Sequence, residues 1–463
     1  MHRRPLLLVI ALALLPLAAA DLRADLDRLL ATIPAGGRSS VVVYDLATSK
    51  LLYSVRGGDS LAPASVAKLI VSSAALLDLG PEWMFTTTVH ALGPLVEGAL
   101  PGLGVIGSGD PCFDTHFHPD DPDAPFKAWA AALRARGVTR IAGDLVIDNR
   151  LFSGPIRPET YPADHENQQS WFSAPASAFA WNNNCIEVRV VPTRPGEACT
   201  VAVRPRSSRI AVRNLTRTVA GRGDTVMTID RSDEANAITV SGAYGRANDW
   251  FALATHSDPD LLAGDQLRAV LADAGIPVLG RVVTGAVARE AEIIATTSNP
   301  LAPAVTILNQ NSQNFYGEQI LRILGQRRRN EGSVAAGSLA VQDILRQHLG
   351  QDIAGWTLLD GCGLSHGNRA CGDFIVRLLV QMDASPVGPA FRSSLKVEPS
   401  GKVTALIKSG TIAIARCYAG YIERRDGTRV AFSILLNKGD AKGMAWGITL
   451  RKKLLEAICR GVE

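Results

Sequence analysis

Strand-like and helix-like spacing of apolar positions exchange places twice along this chain. Residues 22–34 carry the spacing of an amphipathic helix. Residues 40–45 (with Val41-Val42-Val43-Tyr44) and 50–54 then predict two strands around a short turn. Ala62-Pro63-Ala64-Ser65 opens an apolar helix over 66–79, which Gly80-Pro81 ends. From about Phe85 to Thr284 valine-rich strand segments dominate (104–106, 143–148, 186–191, 200–203, 237–242 and 252–255), set between Gly, Pro and Asp turns. One helix interrupts them, 259–274. After about Ala295 helical spacing returns over 301–325 and 333–349. Two strong strands follow, 404–422 and 429–436, joined through the Asp426-Gly427 turn, and a helix over 445–459 comes last.

The two ends therefore read as one α/β (α+β) domain, residues 21–84 with 290–463, built on an antiparallel sheet flanked by helices. Residues 85–289 read as an inserted β-rich region of two subdomains, the second over about 190–250. A length of 463 residues agrees with more than one domain. Composition narrows the function classes. With 47% hydrophobic and 20% charged residues the chain is an ordinary globular protein. A net charge of +4, evenly spread, argues against nucleic-acid binding, and Arg327-Arg328-Arg329 is a solvated helix end.

Residues 1–20 have the build of an export signal: His2-Arg3-Arg4, an apolar run from Leu6 to Leu17, then Ala18-Ala19-Ala20 as the expected cleavage point. No later segment is apolar enough to span a bilayer. The mature protein is expected to be periplasmic and without a membrane span. Seven cysteines suit an oxidising compartment. Cys185 with Cys199, across a hairpin, and Cys362 with Cys371 are the expected disulfide pairs; full connectivity is not readable.

The chemistry lies in three short groups: Ser65 with Lys68, Ser312 with Asn314, and Lys408-Ser409-Gly410-Thr411. Ser-x-x-Lys at a helix start puts a hydroxyl and an amine one turn apart on one face. There a lysine can take the serine proton and free it to attack a carbonyl. Ser312-Gln313-Asn314 sits between helical segments, where Ser and Asn favour loops and caps. Gly410 permits close approach of a peptide to a strand edge. Each group alone has a bland reading as a chance helix pair, a cap or a Gly-bearing strand. In this order and in fitting elements they form the set of an active-site serine acyltransferase.

The chain resembles the class C low-molecular-mass penicillin-binding proteins, the D-alanyl-D-alanine carboxypeptidase/endopeptidases of peptidase family S13. Beyond the three groups, Gly107-Ser108-Gly109-Asp110-Pro111, Phe172-Ser173-Ala174-Pro175, Asp360-Gly361-Cys362-Gly363-Leu364-Ser365 and Ala419-Gly420-Tyr421-Ile422 resemble family segments. The resemblance implies a β-lactamase/transpeptidase-like catalytic fold and a periplasmic serine D,D-peptidase. Its partners would be peptidoglycan stem peptides and β-lactam antibiotics, with no cofactor and no metal. It implies Ser65 as nucleophile, Lys68 as base, Ser312 and Lys408 as the relay to the leaving nitrogen, and Asn314 as a hold on the substrate amide. Ser409, Gly410 and Thr411 would bind substrate, and Asp148 and Phe152 match a pattern that receives the stem's amino acid. His366 and Ala413 depart from the family's pattern at the far end of the pocket.

Two other patterns carry less. Gly102-Leu103-Gly104-Val105-Ile106-Gly107 fits a dinucleotide fingerprint but leads into Gly-Asp-Pro instead of a helix. Cys112, Asp114, His116 and His118 alternate like metal ligands, yet no second ligand group has suitable spacing, so a loop is the better reading. A β-lactamase and a catalytically silent peptidoglycan-binding protein are the competing functions; the Glu-x-x-Leu-Asn element of one β-lactamase class is absent.

Overall fold

The computed structural model describes residues 17–221, 228–350, 355–438 and 444–463. The expected export segment lies outside these residues except for its last four, which open the helix Leu17–Leu30.

Both chain ends build one six-stranded antiparallel sheet, in the order Lys396–Ser400, Val403–Ile412, Ala415–Glu423, Arg429–Lys438, Gly37–Asp45, Lys50–Val55. Successive side chains on a strand face opposite ways, and here both faces are covered. Val41, Val43, Phe432, Ile434 and Leu436 meet Leu26, Leu454 and Ile458 of the helices Leu17–Leu30 and Ala445–Gly461. Val42, Ala431 and Leu435 face a second core containing the helices Ala67–Leu79, Leu301–Gln310, Asn314–Arg329 and Val334–Leu349. This is why the strands read as nearly continuous apolar runs. The helix Ala67–Leu79 is buried from Ala67 to Leu76, and Ala67, Ser72, Ser73, Ala74 and Ala75 keep it thin enough for the neighbouring helices to pack closely.

The run expected as one strand over 404–422 is a hairpin. It turns between Ile412 and Ala415, with no Gly, Pro, Asn or Asp to announce the turn. The helical run over 301–325 is two helices separated at 311–313, where the Ser312-Gln313-Asn314 cluster was expected to lie between helical segments.

The described residues between 84 and 300 form a five-stranded mixed sheet, two three-stranded sheets and one two-stranded sheet. The larger sheet runs Val282–Thr284, Leu145–Asp148, Leu103–Ile106, Met84–Ala91, Ile293–Pro300. Two helices pack on it, where the sequence reading gave one. The additional helix, Ala124–Ala135, buries Phe126, Trp129, Ala130 and Leu133 against Phe113 and Phe179.

The expected disulfides are absent: all seven cysteines are free and buried. The register explains the first pair. Val191 lies opposite Thr200 and Glu187 opposite Arg204, so Cys185 and Cys199 sit at opposite ends of the strand pair. That separates them by roughly 20 Å, when a disulfide needs Cα atoms within about 7 Å. In the second pair, Cys362 Sγ lies 3.1 Å from the Tyr161 hydroxyl while Cys371 caps the helix Gly372–Ala384. Titration with a thiol reagent should find no reactive group in the native protein and seven after unfolding, and reductant should leave the melting temperature unchanged. Fewer than seven thiols in the unfolded protein would contradict this arrangement.

Candidate active site

Ser65 is presented by a tight, strained turn. It lies in a one-turn 3-10 helix, Ala64–Val66, just ahead of the helix Ala67–Leu79, and Ala64 takes the left-handed conformation at φ 48°. A non-glycine residue there costs on the order of 1 kcal/mol or more, so neighbouring contacts must impose it. Three do. The Asn437 side chain accepts from Ala62 N at 2.7 Å and donates to Ala62 O at 3.0 Å. Gly363, at φ 87°, lies so close that a Cβ on it would stand 2.0 Å from Ala64 O. A Cβ on Gly410 would stand 2.8 Å from Pro63 O and 3.1 Å from Ser65 N. The two glycines thus let a loop and a strand close on the backbone beside Ser65.

The Lys68 side chain, fully buried, reaches three oxygens. Its Nζ lies 3.0 Å from Ser65 Oγ, 2.7 Å from Asn314 Oδ1 and 2.6 Å from Cys362 O. Asn314 is fixed in this orientation because its Nδ2 donates to Phe172 O at 2.8 Å. Cys362 O is aimed by a loop folded around one carboxylate: Asp360 accepts from the N–H groups of Cys362, Gly363 and Ser365 and from Asn368 Nδ2. Glu318 braces the same loop by accepting from Gly361 N at 2.6 Å. Burial lowers the Lys68 ammonium below its ordinary value, and the nearby Cys362, Asp360 and Glu318 work against that shift. Burial pushes the Glu318 carboxyl up to about 7, with Asp360 adding to the effect and Arg322 opposing it.

Ser312 occupies the break between two helices in the left-handed region, φ 59°. Its Oγ accepts from Lys408 Nζ at 2.9 Å, and Lys408 also donates to Ser409 O at 3.0 Å. Lys408 is held well below the ordinary lysine value by burial first and by the charge of Lys68 second. The strained turn is pinned from residues 114–116. Asp114 Oδ2 faces His116 Nδ1 at 2.9 Å, and His116 Nε2 faces Gln313 Nε2 at 3.0 Å. A neutral ring satisfies both contacts, donating from Nδ1 and accepting at Nε2. Asp114 and His116, weighed above as metal ligands, spend these groups on the turn.

The strand Val403–Ile412 carries Lys408 to Thr411. Its neighbour Lys396–Ser400 pairs only with residues 403–407, so on that side the edge from Lys408 onward has no partner strand among the described residues. Arg451, from the last helix, stacks over Tyr418 at 4.5 Å and donates to Gly410 O at 2.8 Å and Thr411 Oγ1 at 3.0 Å.

Ser65, Lys68, Ser312, Asn314 and Lys408, spread over 344 positions of sequence (408 − 65 = 343 steps), therefore meet in one cluster around two amines. Asp148 and Phe152 do not join its hydrogen bonds. Asp148 accepts bidentately from Arg150 and from Val287 N; burial favours its neutral form, but these donors hold it below the usual carboxylate range. It lines a separate cavity of about 640 Å³ with Arg150, Ser108 and Ile323. Phe152 lies 5.9 Å under the Arg322 guanidinium and packs against Gly109 and Gly332. Asn437, Glu318 and Arg451 were missed by sequence reasoning, since no local pattern distinguishes them.

The chain belongs to the D-Ala-D-Ala carboxypeptidase 3 (S13) family, serine-type hydrolases, whose family model matches residues 22–452. It is 33% identical over 451 residues to a D-alanyl-D-alanine carboxypeptidase of Actinomadura sp. (strain R39), covering 90% of this chain and 81% of that one. The fold is similar to that of penicillin binding protein 4 (dacB) from Haemophilus influenzae, with a TM-score of 0.76 at 21% identity, covering 94% of this chain and 99% of that one. A structure of that same protein complexed with a β-lactam gives a TM-score of 0.72 over the same shares, again at 21% identity.

Gly363→Ala places a methyl group against backbone at a positive φ, where nothing flexible can yield. It should lower stability by about 1–3 kcal/mol and slow modification of Ser65 by serine-directed acylating agents. Thermal melting together with the acylation rate checks this; a variant unchanged in both would show that the loop does not fix the Ser65 turn.

Proposed function

We propose that the protein is a periplasmic serine D,D-peptidase that cleaves the terminal D-Ala-D-Ala bond, or the equivalent cross-link, of peptidoglycan stem peptides through an acyl-enzyme on Ser65. The hydrogen-bond stoichiometry at Lys68 carries this reading. A neutral amine has two N–H groups and one lone pair. Asn314 Oδ1 and Cys362 O can only accept, so they take the two N–H groups and leave the lone pair facing the Ser65 hydroxyl. The proton of Ser65 passes to Lys68 as its Oγ attacks the carbonyl carbon.

The substrate backbone adds to the open edge of the Val403–Ile412 strand beyond Lys408. Its carbonyl oxygen then lies between the N–H groups of Ser65 and Thr411, each donor being worth about 3–4 kcal/mol to the charged intermediate. The remaining N–H of Asn314 holds the substrate amide. Ser409 and Thr411 hydroxyls receive the terminal carboxylate, and Arg451 supplies a positive charge beside Thr411. Lys408 protonates the leaving nitrogen through Ser312. Water then releases the acyl group. The export pattern of residues 1–20 supports the location, and the β-lactam complex of the H. influenzae relative supports acylation by the same class of compound.

Intact-mass measurement after incubation with benzylpenicillin should show one adduct, absent in Ser65→Ala and formed about 10²–10⁴-fold more slowly in Lys68→Ala. An unchanged mass for the native protein would overturn the reading. An adduct that turns over within seconds would make the protein a β-lactamase.

The pH profile gives a second check. Acylation should rise with pH along a limb below the ordinary lysine value of 10.5. An anionic Glu318 stabilises the Lys68 ammonium and so moves that limb to higher pH. Glu318→Gln keeps an acceptor for Gly361 N and removes the charge, so the limb should shift to lower pH. A shift to higher pH, or none, would contradict the assignment of Lys68 as base.

A further inference from the structure

A second cavity of about 610 Å³ adjoins the catalytic cluster and plays no part in the mechanism above. Gln313, between Ser312 and Asn314, lines it, so it begins within one residue of both. Its wall includes Trp171, Trp250 and Phe251, and Trp171 is 44% and Phe251 48% exposed. Aromatic side chains this open, grouped around one concavity, mark a binding surface. Trp171 precedes Phe172, whose carbonyl orients Asn314. Trp250 is held by the Arg204 guanidinium 4.3 Å from its ring, and Arg204 is paired with Glu187.

The backbone of the wall is strained, and while Asn182 and Asn184 bond within the chain, the middle residue, Asn183, is turned to the cavity. Asn182, Asn183 and Asn184 are three consecutive residues in the left-handed region, at φ 47°, 56° and 53°. Asparagine tolerates that region best among residues with side chains, yet single visits are the rule. Asn182 and Asn183 line the cavity, and Asn183 Oδ1 is buried without a partner among the described residues. Strain of this kind is concentrated at ligand sites.

The lining chemistry selects the ligand. No lysine or arginine is among the described lining residues, which disfavours an anion. Glu187 is neutralised by Arg204, leaving Glu166 as the lone unpaired acid among amides such as Gln169 and Asn183. The outer edge of the strand Phe251–Ala254 is already bridged to Ser170 at Leu253, so no free ladder is offered to an extended peptide. Open aromatic faces ringed by amide and hydroxyl groups suit a pyranose, which has an apolar C–H face and a polar rim.

We propose that this groove binds the glycan strand of the substrate, an uncharged N-acetylhexosamine unit, while the attached stem occupies the Ser65 cleft. The proposal rests on the peptidoglycan reading above and names the part of the substrate seated there.

Binding of the N-acetylglucosamine tetramer, followed by saturation-transfer NMR and calorimetry, tests it without turnover. The native protein should bind the tetramer, and Trp171→Ala/Phe251→Ala should weaken binding about tenfold or more. The same variant should raise KM for a disaccharide-linked pentapeptide by a similar factor, leaving KM for the free pentapeptide and the benzylpenicillin acylation rate unchanged. Absence of tetramer binding, or equal loss on linked and free peptide, overturns the proposal. So does an effect confined to Glu166→Gln with a free-amine peptide, which would make the groove an amine subsite. Failure of penicillin acylation in a native protein that binds the tetramer would sink the peptidase reading and leave the glycan site standing.

Discussion

A lysine amine removed from water, with three fixed oxygens around it, is the constraint that organises this molecule. Burying an ammonium is costly unless every N–H finds a partner. Lys68 is 0% exposed and reaches Ser65, Asn314 and Cys362, which come from three separate segments. Each must be held to a few tenths of an ångström, and each is held by a second contact. The Asn437 side chain clamps Ala62, Phe172 orients Asn314, and the Asp360 carboxylate folds the loop that aims Cys362 O. Loss of any one leaves a buried donor unpaired, so the fold and the site are stabilised by the same bonds.

Backbone approaches closer than any side chain permits make this convergence possible. Gly363 against Ala64, Gly410 against Pro63 and Ser65, and Gly317 against Gly361 are all positions where a Cβ would fall within about 3 Å of main-chain atoms. The Gly317–Gly361 contact seats the helix Asn314–Arg329 on the loop, so the Ser312 turn, the loop and the Ser65 turn form one rigid stack. The left-handed residues Ala64 and Ser312 persist within it because their surroundings over-determine them. Ser65, just after Ala64, and Ser312 itself thereby have their hydroxyls beside the amines of Lys68 and Lys408.

What the sequence made legible follows from the range over which each constraint acts. The helix after Ser65, the break at Ser312 and the strand at Lys408 rest on local signals, namely apolar spacing, a Ser/Asn cluster and a β-branched run. The structure has them close to where the sequence placed them. The architecture, antiparallel sheet flanked by helices, agrees as well. Contacts that join distant segments through the backbone leave no such trace. Asn437 bonds Ala62 across 375 positions, and nothing around Asn437 distinguishes it from any strand asparagine. The cysteine pairing failed although the hairpin itself formed: Cys185 opens the first strand and Cys199 leads into the second, and antiparallel pairing puts those two starts at opposite ends. The helix Ala124–Ala135 had a readable signal, Phe126, Trp129, Ala130 and Leu133 at spacings of 3, 1 and 3, masked by the Asp/Pro-rich approach. The turn at Ala413-Ile414 had none.

The same geometry accommodates both protonation states that the proposed chemistry needs. Before attack, a neutral Lys68 donates twice and accepts once. After it, the ammonium has three N–H groups and finds three oxygens already in place, so little must reorganise. Glu318 and Asp360, both buried nearby, favour that charged state. A charge on Lys68 in turn disfavours the charge on Lys408, which burial has already weakened. The proton on Lys408 therefore leaves most readily at the moment Lys68 gains its own, and its outlet is the Ser312 hydroxyl at 2.9 Å. In the proposed mechanism, two amines that cannot comfortably be charged together would couple proton uptake on one side of the scissile bond to proton delivery on the other.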